Sequence, residues 1–366
     1  MNEKMFELTK KRTDALRRRL EVKELDAAFI CFGPNVRYLS GFAGTWGDAS
    51  LLITRYGSYI LTDSRYTIQA GEQCPYYELK GVSAFDYKTL RELVLSDRAR
   101  HIGFEDLTVS YSTFCAVKDA LAGFPLTGIG DSVEMLRNIK DESELEDIHK
   151  ACVIACRGLA QTVPYIRPGV KELDVATELE YRMKKLGASG KSFDTIVASG
   201  VRGALPHGLA SEKVIREGEM VTIDFGCLYN GYCSDMTRTF SVGEPSAKMR
   251  AIYDTVLDAQ LTAIDAYRPG MSAVELDAVA RDLIADAGYG EYFGHGLGHG
   301  VGIEIHEGVR LNPRSEFMLP EDTVFSIEPG IYVEGLGGVR IEDLITCHNG
   351  VKTVLSAESP KALTIL

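Results

Sequence analysis

The first third of the chain alternates short apolar runs with stretches of helical periodicity. The runs predict buried strands and the stretches between them predict amphipathic helices, a pattern typical of an α/β domain. The predicted strands are DAAFICFG, SLLIT and SYILTD, and the predicted helices are DYKTLRELVLSD and YSTFCAVKDALAG. The first 20 residues predict a further amphipathic helix at the surface. Its apolar side is formed by Met5, Leu8, Leu16 and Leu20.

The alternation of short apolar runs and predicted helices ends after about a third of the chain. A Gly-containing turn leads there into a long charged helix, in which Ile148, Val153 and Leu159 face inward. We therefore predict two domains, residues 1–133 and residues 134–366. The length of 366 residues also favours two domains.

The second part contains an internal duplication. The triplet Arg-Pro-Gly ends at Gly169 and again at Gly270, a separation of 101 residues. Each triplet leads into a predicted helix, and the glycines expected to end the two helices, Gly187 and Gly288, are separated by the same 101 residues. The common offset favours duplication over chance.

Each copy also contains two strand-like stretches that carry an acid. In the first copy GEMVTIDFG supplies Asp224 and GYCSDMTRTF supplies Asp235. In the second copy EDTVFSIEPG supplies Glu328 and GGVRIEDLITC supplies Glu342. The separations of 11 and 14 residues suit β-hairpins whose strands lie side by side.

The neighbours of these four acids indicate a metal site. An isolated acid in a strand usually faces solvent, but these four have apolar neighbours. Buried carboxylates are costly unless they are paired or bind a metal. Related by a pseudo-twofold axis, the four would converge between the two halves, where their mutual repulsion requires cations.

The segment GHGLGHGVGIEIHEG contains three of the chain's seven histidines, His295, His299 and His306. One imidazole beside four carboxylates suits two divalent cations, with Mn²⁺, Co²⁺, Fe²⁺ and Zn²⁺ as candidates. The glycines would let the backbone approach a crowded centre closely. His207, in a Pro-His-Gly turn after a predicted strand, is a further candidate. We interpret the remaining histidines as structural or surface residues: His101, His149 and His348.

Composition limits the partners and the compartment. The chain has 45% hydrophobic and 25% charged residues, typical of a soluble globular protein. Its net charge of −12 argues against nucleic acid or an anionic membrane as the main partner. The N-terminus lacks the apolar core of a secretory signal, and the eight cysteines form no Cys-x-x-Cys pair. We therefore predict a cytoplasmic protein with reduced thiols.

Five motifs in the second part resemble those of the pita-bread-fold metallopeptidases, which include methionine aminopeptidase, aminopeptidase P, prolidase and the metal-free creatinase. The motifs are FDTIVASG…ALPHG, IDFG…YCSDMTRTF, GHGLGHGVGIEIHE, SIEPGIY and GGVRIED. The first part is similar through NVRYLSGFAG. The resemblance implies an α/β (α+β) fold, with an N-terminal creatinase-like domain before a pita-bread domain that has an internal pseudo-twofold duplication.

Carried over position by position, the resemblance implies five metal ligands. Asp235 and Glu342 would bridge two ions, Asp224 would hold one of them, and His299 with Glu328 would hold the other. All five positions carry the expected residue type, which disfavours a metal-free, creatinase-like protein.

The resemblance also implies residues that serve the substrate. His306 would contact the scissile carbonyl and its tetrahedral intermediate, and Glu328 would shuttle the proton. His207 would line the cleft, and His295 matches an extra histidine of the proline-directed members. Arg340 is either a cation near the cleft or a structural partner of the ligand carboxylates.

These inferences together predict a peptidase with two divalent ions per subunit, Mn²⁺ or Co²⁺ before Zn²⁺ or Fe²⁺. The expected activity is hydrolysis of Xaa-Pro bonds in small peptides, as an Xaa-Pro dipeptidase. The alternative is an aminopeptidase P acting on longer peptides. Methionine aminopeptidase is disfavoured by the N-terminal domain and His295, and a non-hydrolytic binding protein by the intact ligand set. A homodimer is expected because relatives often form dimers.

Overall fold

The computed structural model describes residues 2–366 and divides after Arg137 into two compact units. None of the described helices has the length and apolar character needed to cross a membrane.

The N-terminal unit is built on a six-stranded mixed sheet. Its helices are α1 (Asn2–Val22), α2 (Gly33–Ser40), α3 (Thr67–Gln73), α4 (Tyr87–Ser96), α5 (Tyr111–Ala120) and α6 (Glu134–Arg137). Its strands are β1 (Ala27–Ile30), β2 (Ala49–Thr54), β3 (Ser58–Thr62), β4 (Glu78–Lys80), β5 (Ile102–Phe104) and β6 (Leu126–Gly128). The sheet order is β4-β3-β2-β1-β5-β6, and β1 runs antiparallel to β2 and parallel to β5. The predicted α/β pattern is confirmed.

Helix α1 is amphipathic as predicted. Leu16 and Leu20 are buried, and Met5 and Leu8 are half-buried. The first residue of the chain, Met1, lies outside the described residues. The helix therefore packs through its C-terminal half more completely than through its first turns.

The C-terminal unit contains four α-helices and fifteen strands among the described residues. The helices are α7 (Glu142–Thr162), α8 (Glu172–Lys185), α9 (Ala247–Ala266) and α10 (Ala273–Asp286). The strands are β7 (Gly190–Lys191), β8 (Ile196–Ser199), β9 (Glu219–Phe225), β10 (Cys227–Tyr229), β11 (Tyr232–Cys233), β12 (Met236–Val242), β13 (Met271–Ser272), β14 (Gly298–Gly300), β15 (Glu307–Leu311), β16 (Met318–Leu319), β17 (Phe325–Ile327), β18 (Gly330–Val333), β19 (Gly337–Arg340), β20 (Asp343–His348) and β21 (Val351–Val354).

The internal duplication is confirmed by the element order of the two halves. Helices α8 and α10 have 14 residues each, and both their first and their last residues are 101 positions apart. In the first half β9 lies between β8 and β12, and in the second half β17 lies between β14 and β20, with antiparallel pairing throughout. Each half thus combines a helical hairpin with a central antiparallel sheet.

The two acid-bearing hairpins have the same construction. Strands β9 and β12 pair, and the short ribbon β10–β11 lies between them in sequence. Strands β17 and β20 pair likewise around the ribbon β18–β19. Asp224 lies opposite Thr237 near the end of one hairpin, and Asp235 immediately precedes β12. Glu328 immediately follows β17, and Glu342 immediately precedes β20. The predicted hairpins therefore bring both acids of each copy to one end.

Each half has its own apolar core beside its hairpin. Val221 and Ile223 of β9 are fully buried in a cluster that includes Leu179 of α8. Phe325 of β17 is fully buried in the corresponding cluster with Leu276 of α10. Because successive side chains of a strand point to opposite faces, Asp224 points away from the face that carries Ile223.

The glycines around the second histidine allow strands to approach one another closely. A Cβ atom at Gly298 would lie 1.9 Å from the carbonyl oxygen of Ser326, and one at Gly300 would lie 2.5 Å from that of Glu307. Strand β14 lies between β15 and β17 in the sheet, so it has a neighbouring strand on each side. The close approach that these glycines allow is therefore between the backbones of neighbouring strands. This packing holds His299 in place.

Candidate active site

One cavity of the C-terminal unit has a volume of about 850 Å³. It is lined by every residue that the sequence analysis predicts for the metal site or the substrate cleft. The nine that line it are Asp224, Asp235, His299, Glu328, Glu342, His207, His295, His306 and Arg340. The remaining histidines do not line it: His101, His149 and His348. The cavity size suits a small molecule or a short peptide.

The carboxylates meet around one imidazole. The His299 Nε2 atom lies 3.5 Å from Asp235 Oδ2 and 3.3 Å from Glu328 Oε1. Ligand atoms of Asp235, His299 and Glu342 all lie within 4.8 Å of one another. Asp235 and Glu342 are almost fully buried. Residues from both halves of the duplication therefore converge, as the pseudo-twofold axis predicts.

Burial makes this cluster resist ionisation. Burial, together with nearby Glu342, raises the pKa of Asp235 well above its usual range. Burial, together with nearby Glu328, does the same to the pKa of Glu342. Burial raises the pKa of Glu328 to about 7. Each carboxylate opposes the charge of the others, so full ionisation requires added positive charge.

The protonation of His299 suits metal ligation. Burial lowers the pKa of His299 to about 3, so the ring is neutral near pH 7. The Nδ1 atom lies 3.2 Å from the carbonyl oxygen of Gly300, which is an acceptor, so the proton belongs on Nδ1. The lone pair of Nε2 then faces carboxylate oxygens, which are also acceptors. A cation at this point turns a repulsive contact into coordination.

Asp224 has a free oxygen beside the cluster. Its Oδ2 atom accepts a hydrogen bond from Arg340 Nη2 at 2.6 Å, whereas its buried Oδ1 atom has no hydrogen-bond partner among residues 2–366. Buried polar atoms in folded proteins are usually satisfied. Four carboxylates and one neutral imidazole form an oxygen-rich donor set with a single nitrogen, which fits divalent cations.

Two hydroxyl groups orient the acids. Thr237 Oγ1 donates to Glu342 Oε2 at 2.7 Å, and the Glu342 amide donates to the Thr237 carbonyl oxygen at 3.1 Å. Ser326 Oγ accepts from the His299 amide and donates to Glu328 Oε1, both at 3.0 Å. The first contact joins the two halves and the second joins β14 to the end of β17.

The contacts of Arg340 favour the structural alternative. The side chain is almost fully buried, and its donors point to protein acceptors. These are Asp224 Oδ2 at 2.6 Å, Thr237 Oγ1 at 3.0 Å, the Pro206 carbonyl oxygen at 3.1 Å and the Tyr332 hydroxyl at 2.7 Å. A guanidinium held in this way offsets the negative charge of the acids.

The other three histidines of the cavity differ in their surroundings. His295 contacts the Gly296 carbonyl oxygen through Nδ1 at 2.8 Å and the Tyr332 hydroxyl through Nε2 at 3.0 Å. Burial lowers the pKa of His295 to about 4. The ring centroid of His306 lies 4.2 Å from that of His299. His207 is exposed at its turn.

One cation of the cavity was missed from the sequence. Arg310 lines the cavity and lies opposite His299 in the β14–β15 pair. Its Nη1 atom donates to two backbone carbonyl oxygens, and within residues 2–366 it forms no ion pair with a carboxylate. A signal was available, since Arg310 follows His306 by only four residues and lies in β15, which begins directly after His306. Partial burial and the charge of Arg310 lower the pKa of His306.

Known proteins match both units. Residues 146–349 match the model of metallopeptidase family M24, and residues 12–139 match the Creatinase/Prolidase N-terminal domain. The chain is 40% identical over 341 residues to the Xaa-Pro dipeptidase of Pyrococcus horikoshii, covering 93% of this chain and 95% of that protein.

Two solved structures are similar over nearly the whole length. The Xaa-Pro dipeptidase from Bacillus anthracis superposes with a TM-score of 0.94 at 42% identity, covering 98% of this chain and all of that one. The X-Pro aminopeptidase from Thermotoga maritima gives 0.88 at 40% identity, covering 95% and 100%. The predicted resemblance and the pita-bread fold are confirmed. The chain, with its carboxylate-rich cavity, belongs to metallopeptidase family M24, and this membership implies divalent metal ions.

Proposed function

We propose that the protein is an Xaa-Pro dipeptidase that works with two divalent cations. The observation that carries the proposal is the cavity itself, in which four carboxylates and a neutral imidazole lie beside a cation, Arg310, that has no carboxylate partner among the described residues. The Xaa-Pro dipeptidases similar to this chain support the same activity.

The proposed ligand set follows the resemblance and is supported by the geometry. Asp235 and Glu342 would bridge the two ions, Asp224 would hold one, and His299 with Glu328 would hold the other. The unpartnered Oδ1 atom of Asp224 and the common position of Asp235, His299 and Glu342 support this arrangement. A donor set rich in carboxylates favours Mn²⁺ or Co²⁺, with Zn²⁺ and Fe²⁺ as alternatives.

The proposed mechanism assigns separate work to the side chains. Bound divalent cations supply Lewis acidity and activate water for peptide hydrolysis. The Glu328 carboxylate accepts the proton of the attacking water and returns it to the leaving nitrogen. The neutral His306 ring donates a hydrogen bond to the carbonyl oxygen as negative charge develops there. His207 and His295 form walls of the cleft.

Proline after the scissile bond changes how the substrate must be held. The tertiary amide has no N–H to offer, so the enzyme must recognise the ring and the flanking charges. Arg340 is already engaged by Asp224, which leaves Arg310 as the cation that suits a free proline carboxylate. A carboxylate directly after the proline ring is the mark of a dipeptide.

An Xaa-Pro aminopeptidase is the second candidate. A polar cavity of about 670 Å³ adjoins the first and shares Gly294, His295, Gly296 and Asn312 with it. Residues beyond proline would have room there. The similarity to the Thermotoga X-Pro aminopeptidase supports this alternative.

Three broader features belong to the same proposal. The domain boundary is set at residues 133 and 134, and the enzyme is a homodimer, which rests on the resemblance alone. A cytoplasmic location is supported by the eight cysteines, all of them unpaired. Neither nucleic acid nor a membrane is proposed as a partner, in keeping with the net charge of −12.

The bridging acids give the first prediction. Asp235→Asn and Glu342→Gln should each abolish activity and lower the bound metal, because each residue would touch both ions. Metal content by mass spectrometry and turnover of Ala-Pro measure the two effects. The control is Glu146→Gln, since Glu146 pairs with Lys150 on the surface of α7. This variant should change neither the metal content nor the turnover. Near-normal turnover in both acid variants would contradict the ligand assignment.

The second prediction separates two neighbouring histidines. His306→Ala should lower kcat by about 10²–10³ and leave the metal bound, since the cost of losing one oxyanion donor is of that size. His299→Ala should lose metal. Metal analysis and steady-state kinetics on both variants measure this, and the reverse pattern would exchange the two roles.

The third prediction concerns the substrate. Ala-Pro should be cleaved in preference to Ala-Pro-Ala and Ala-Ala under one metal condition. Arg310→Gln should raise KM for Ala-Pro by about tenfold or more, in line with a lost charge-assisted hydrogen bond. The same substitution should change the KM for Ala-Pro-amide little, because that substrate has no free carboxylate for Arg310 to bind.

The matched control is Arg250→Gln, because Arg250 pairs with Glu244 on the surface of α9 and lines neither cavity. It should leave Ala-Pro cleavage unchanged. Preference for Ala-Pro-Ala would move the assignment to an aminopeptidase, and efficient cleavage of Ala-Ala alone would remove the proline specificity.

A further inference from the structure

Two cleft histidines, His207 and His295, lie on irregular segments outside the strands. His207 belongs to the segment of residues 200–211, which follows β8, and His295 belongs to the loop of residues 293–297. Both histidines line the cavity. Something other than a strand ladder must hold each loop at the cleft.

A buried carboxylate joins the two ends of the first loop. Glu172, the first residue of α8, is fully buried. Its Oε1 atom accepts from the Ser199 amide at 2.8 Å and from Ser199 Oγ at 2.7 Å. Its Oε2 atom accepts from Ser211 Oγ at 2.7 Å and from Arg202 Nη1. One side chain thus closes the loop at both ends.

Arg202 extends this clamp to the middle of the loop. Its Nη2 atom donates to the Leu209 carbonyl oxygen at 2.8 Å, and the Leu209 amide donates to the His207 carbonyl oxygen at 2.9 Å. The chain of contacts therefore runs from Glu172 through Arg202 to the turn that carries His207.

The second loop has a clamp of the same kind. Asp277 of α10 is almost fully buried, and its Oδ1 atom accepts from the Leu297 amide at 2.9 Å. Both of its oxygens bind Arg281, at 2.7 and 2.9 Å. Arg281 in turn donates to the carbonyl oxygens of Phe293, at 3.0 Å, and His295, at 2.7 Å.

The two clamps lie in the duplicated helices but use different positions. Helices α8 and α10 are equivalent at an offset of 101 residues. Glu172 is the first residue of its helix, whereas Asp277 is the fifth of its own. The first arginine comes from the loop and the second from the helix. Each half therefore meets one requirement, a rigid histidine loop, with its own acid–arginine pair.

We propose that Glu172 and Asp277 are positioning residues, each of which acts through an arginine to hold one cleft histidine against the substrate. The proposal rests on the Xaa-Pro peptidase function for its kinetic consequences, whereas its structural consequences are independent of any activity. Removing the charge of a buried acid would release both the amide that it holds and the arginine that it pairs.

Amide hydrogen exchange of the metal-loaded protein tests the structural part. Glu172→Gln should speed exchange of the Ser199 amide about 10- to 100-fold and leave the Leu297 amide unchanged, the range expected for one hydrogen bond to a charged group. Asp277→Asn should show the opposite pattern. The control is Glu178→Gln, which breaks the Glu178–Arg182 pair on the surface of α8 and should change neither amide.

Kinetics and metal analysis test the positioning part. Both variants should keep their metal and should lose about tenfold in kcat/KM for Ala-Pro. In a His207→Ala background, Glu172→Gln should cost little more, because the residue acts through that histidine. If either acid variant folds poorly, Arg202→Lys and Arg281→Lys can replace it. Lysine keeps the positive charge but lacks the planar guanidinium with its paired donors, so faster amide exchange is again expected only in the loop that the substituted arginine holds.

Unchanged exchange at the clamped amide, exchange that rises equally in both loops, or a full tenfold loss in the His207→Ala background would overturn the proposal. A wild-type protein that cleaves no Xaa-Pro peptide would overturn the proposed function instead, and localised exchange would still show the clamps.

Discussion

The mutual repulsion of four carboxylates is the constraint on which the C-terminal unit depends. Two ionised carboxylates less than 5 Å apart, like those of Asp235 and Glu342, repel by roughly 3 kcal/mol at an effective dielectric constant of about 20. The apolar strands that bring the acids together also bury them, which adds a desolvation cost. Arg340 offsets part of the charge at Asp224, and Thr237 and Ser326 orient the remaining oxygens. Divalent cations supply the rest of the compensation.

Duplication explains how one chain brings so many acids to one place. Each half contributes a hairpin that ends in two acids, so their meeting yields four. The halves then differ where the chemistry requires it. Strand β14 contributes His299 between two glycines, whereas the equivalent strand β8 is apolar until Ser199. One half therefore supplies the imidazole of the carboxylate cluster, and the site is asymmetric although the scaffold is nearly symmetric.

Much of the site follows from local sequence patterns. The four acids could be found because each lies in or directly beside an apolar strand, and the repeat could be found because its turns and caps recur at one offset. The roles that the sequence missed or left open at Glu172 and Arg340 depend on contacts between distant positions. Glu172 binds Ser211, 39 positions away, and Arg340 binds Asp224, 116 positions away. The roles of such residues require the tertiary structure, which is why the alternatives for Arg340 stayed open in the sequence.

The ribbons inside the hairpins show the same limit on a smaller scale. The spacing between paired acids predicts hairpins, but β10–β11 and β18–β19 form separate ribbons within them. A count of residues between two acids does not reveal whether the connection pairs with itself. The acids nevertheless reach the expected end, because the outer strands set their positions.

The dependence of the carboxylate cluster on metal is tested most directly by pH-dependent unfolding of the metal-free protein. Glu328, with a pKa of about 7 against an ordinary 4.5, holds a proton in the folded state that the unfolded state has lost. This stabilisation is present below pH 4.5 and disappears as the pH rises through 7. The lowered pKa values of His295 and His299 make the free energy of unfolding rise with pH, which opposes the effect of Glu328. The wild type must therefore be compared with a variant that keeps both histidines.

The measurement is the free energy of unfolding of the metal-free wild type minus that of Asp235→Asn/Glu328→Gln, between pH 4.5 and 7.5. The difference should fall as the pH rises from 4.5 through 7, and saturating Mn²⁺ should abolish the fall in the wild type. A difference that does not change with pH would contradict a cluster that needs cations in order to ionise.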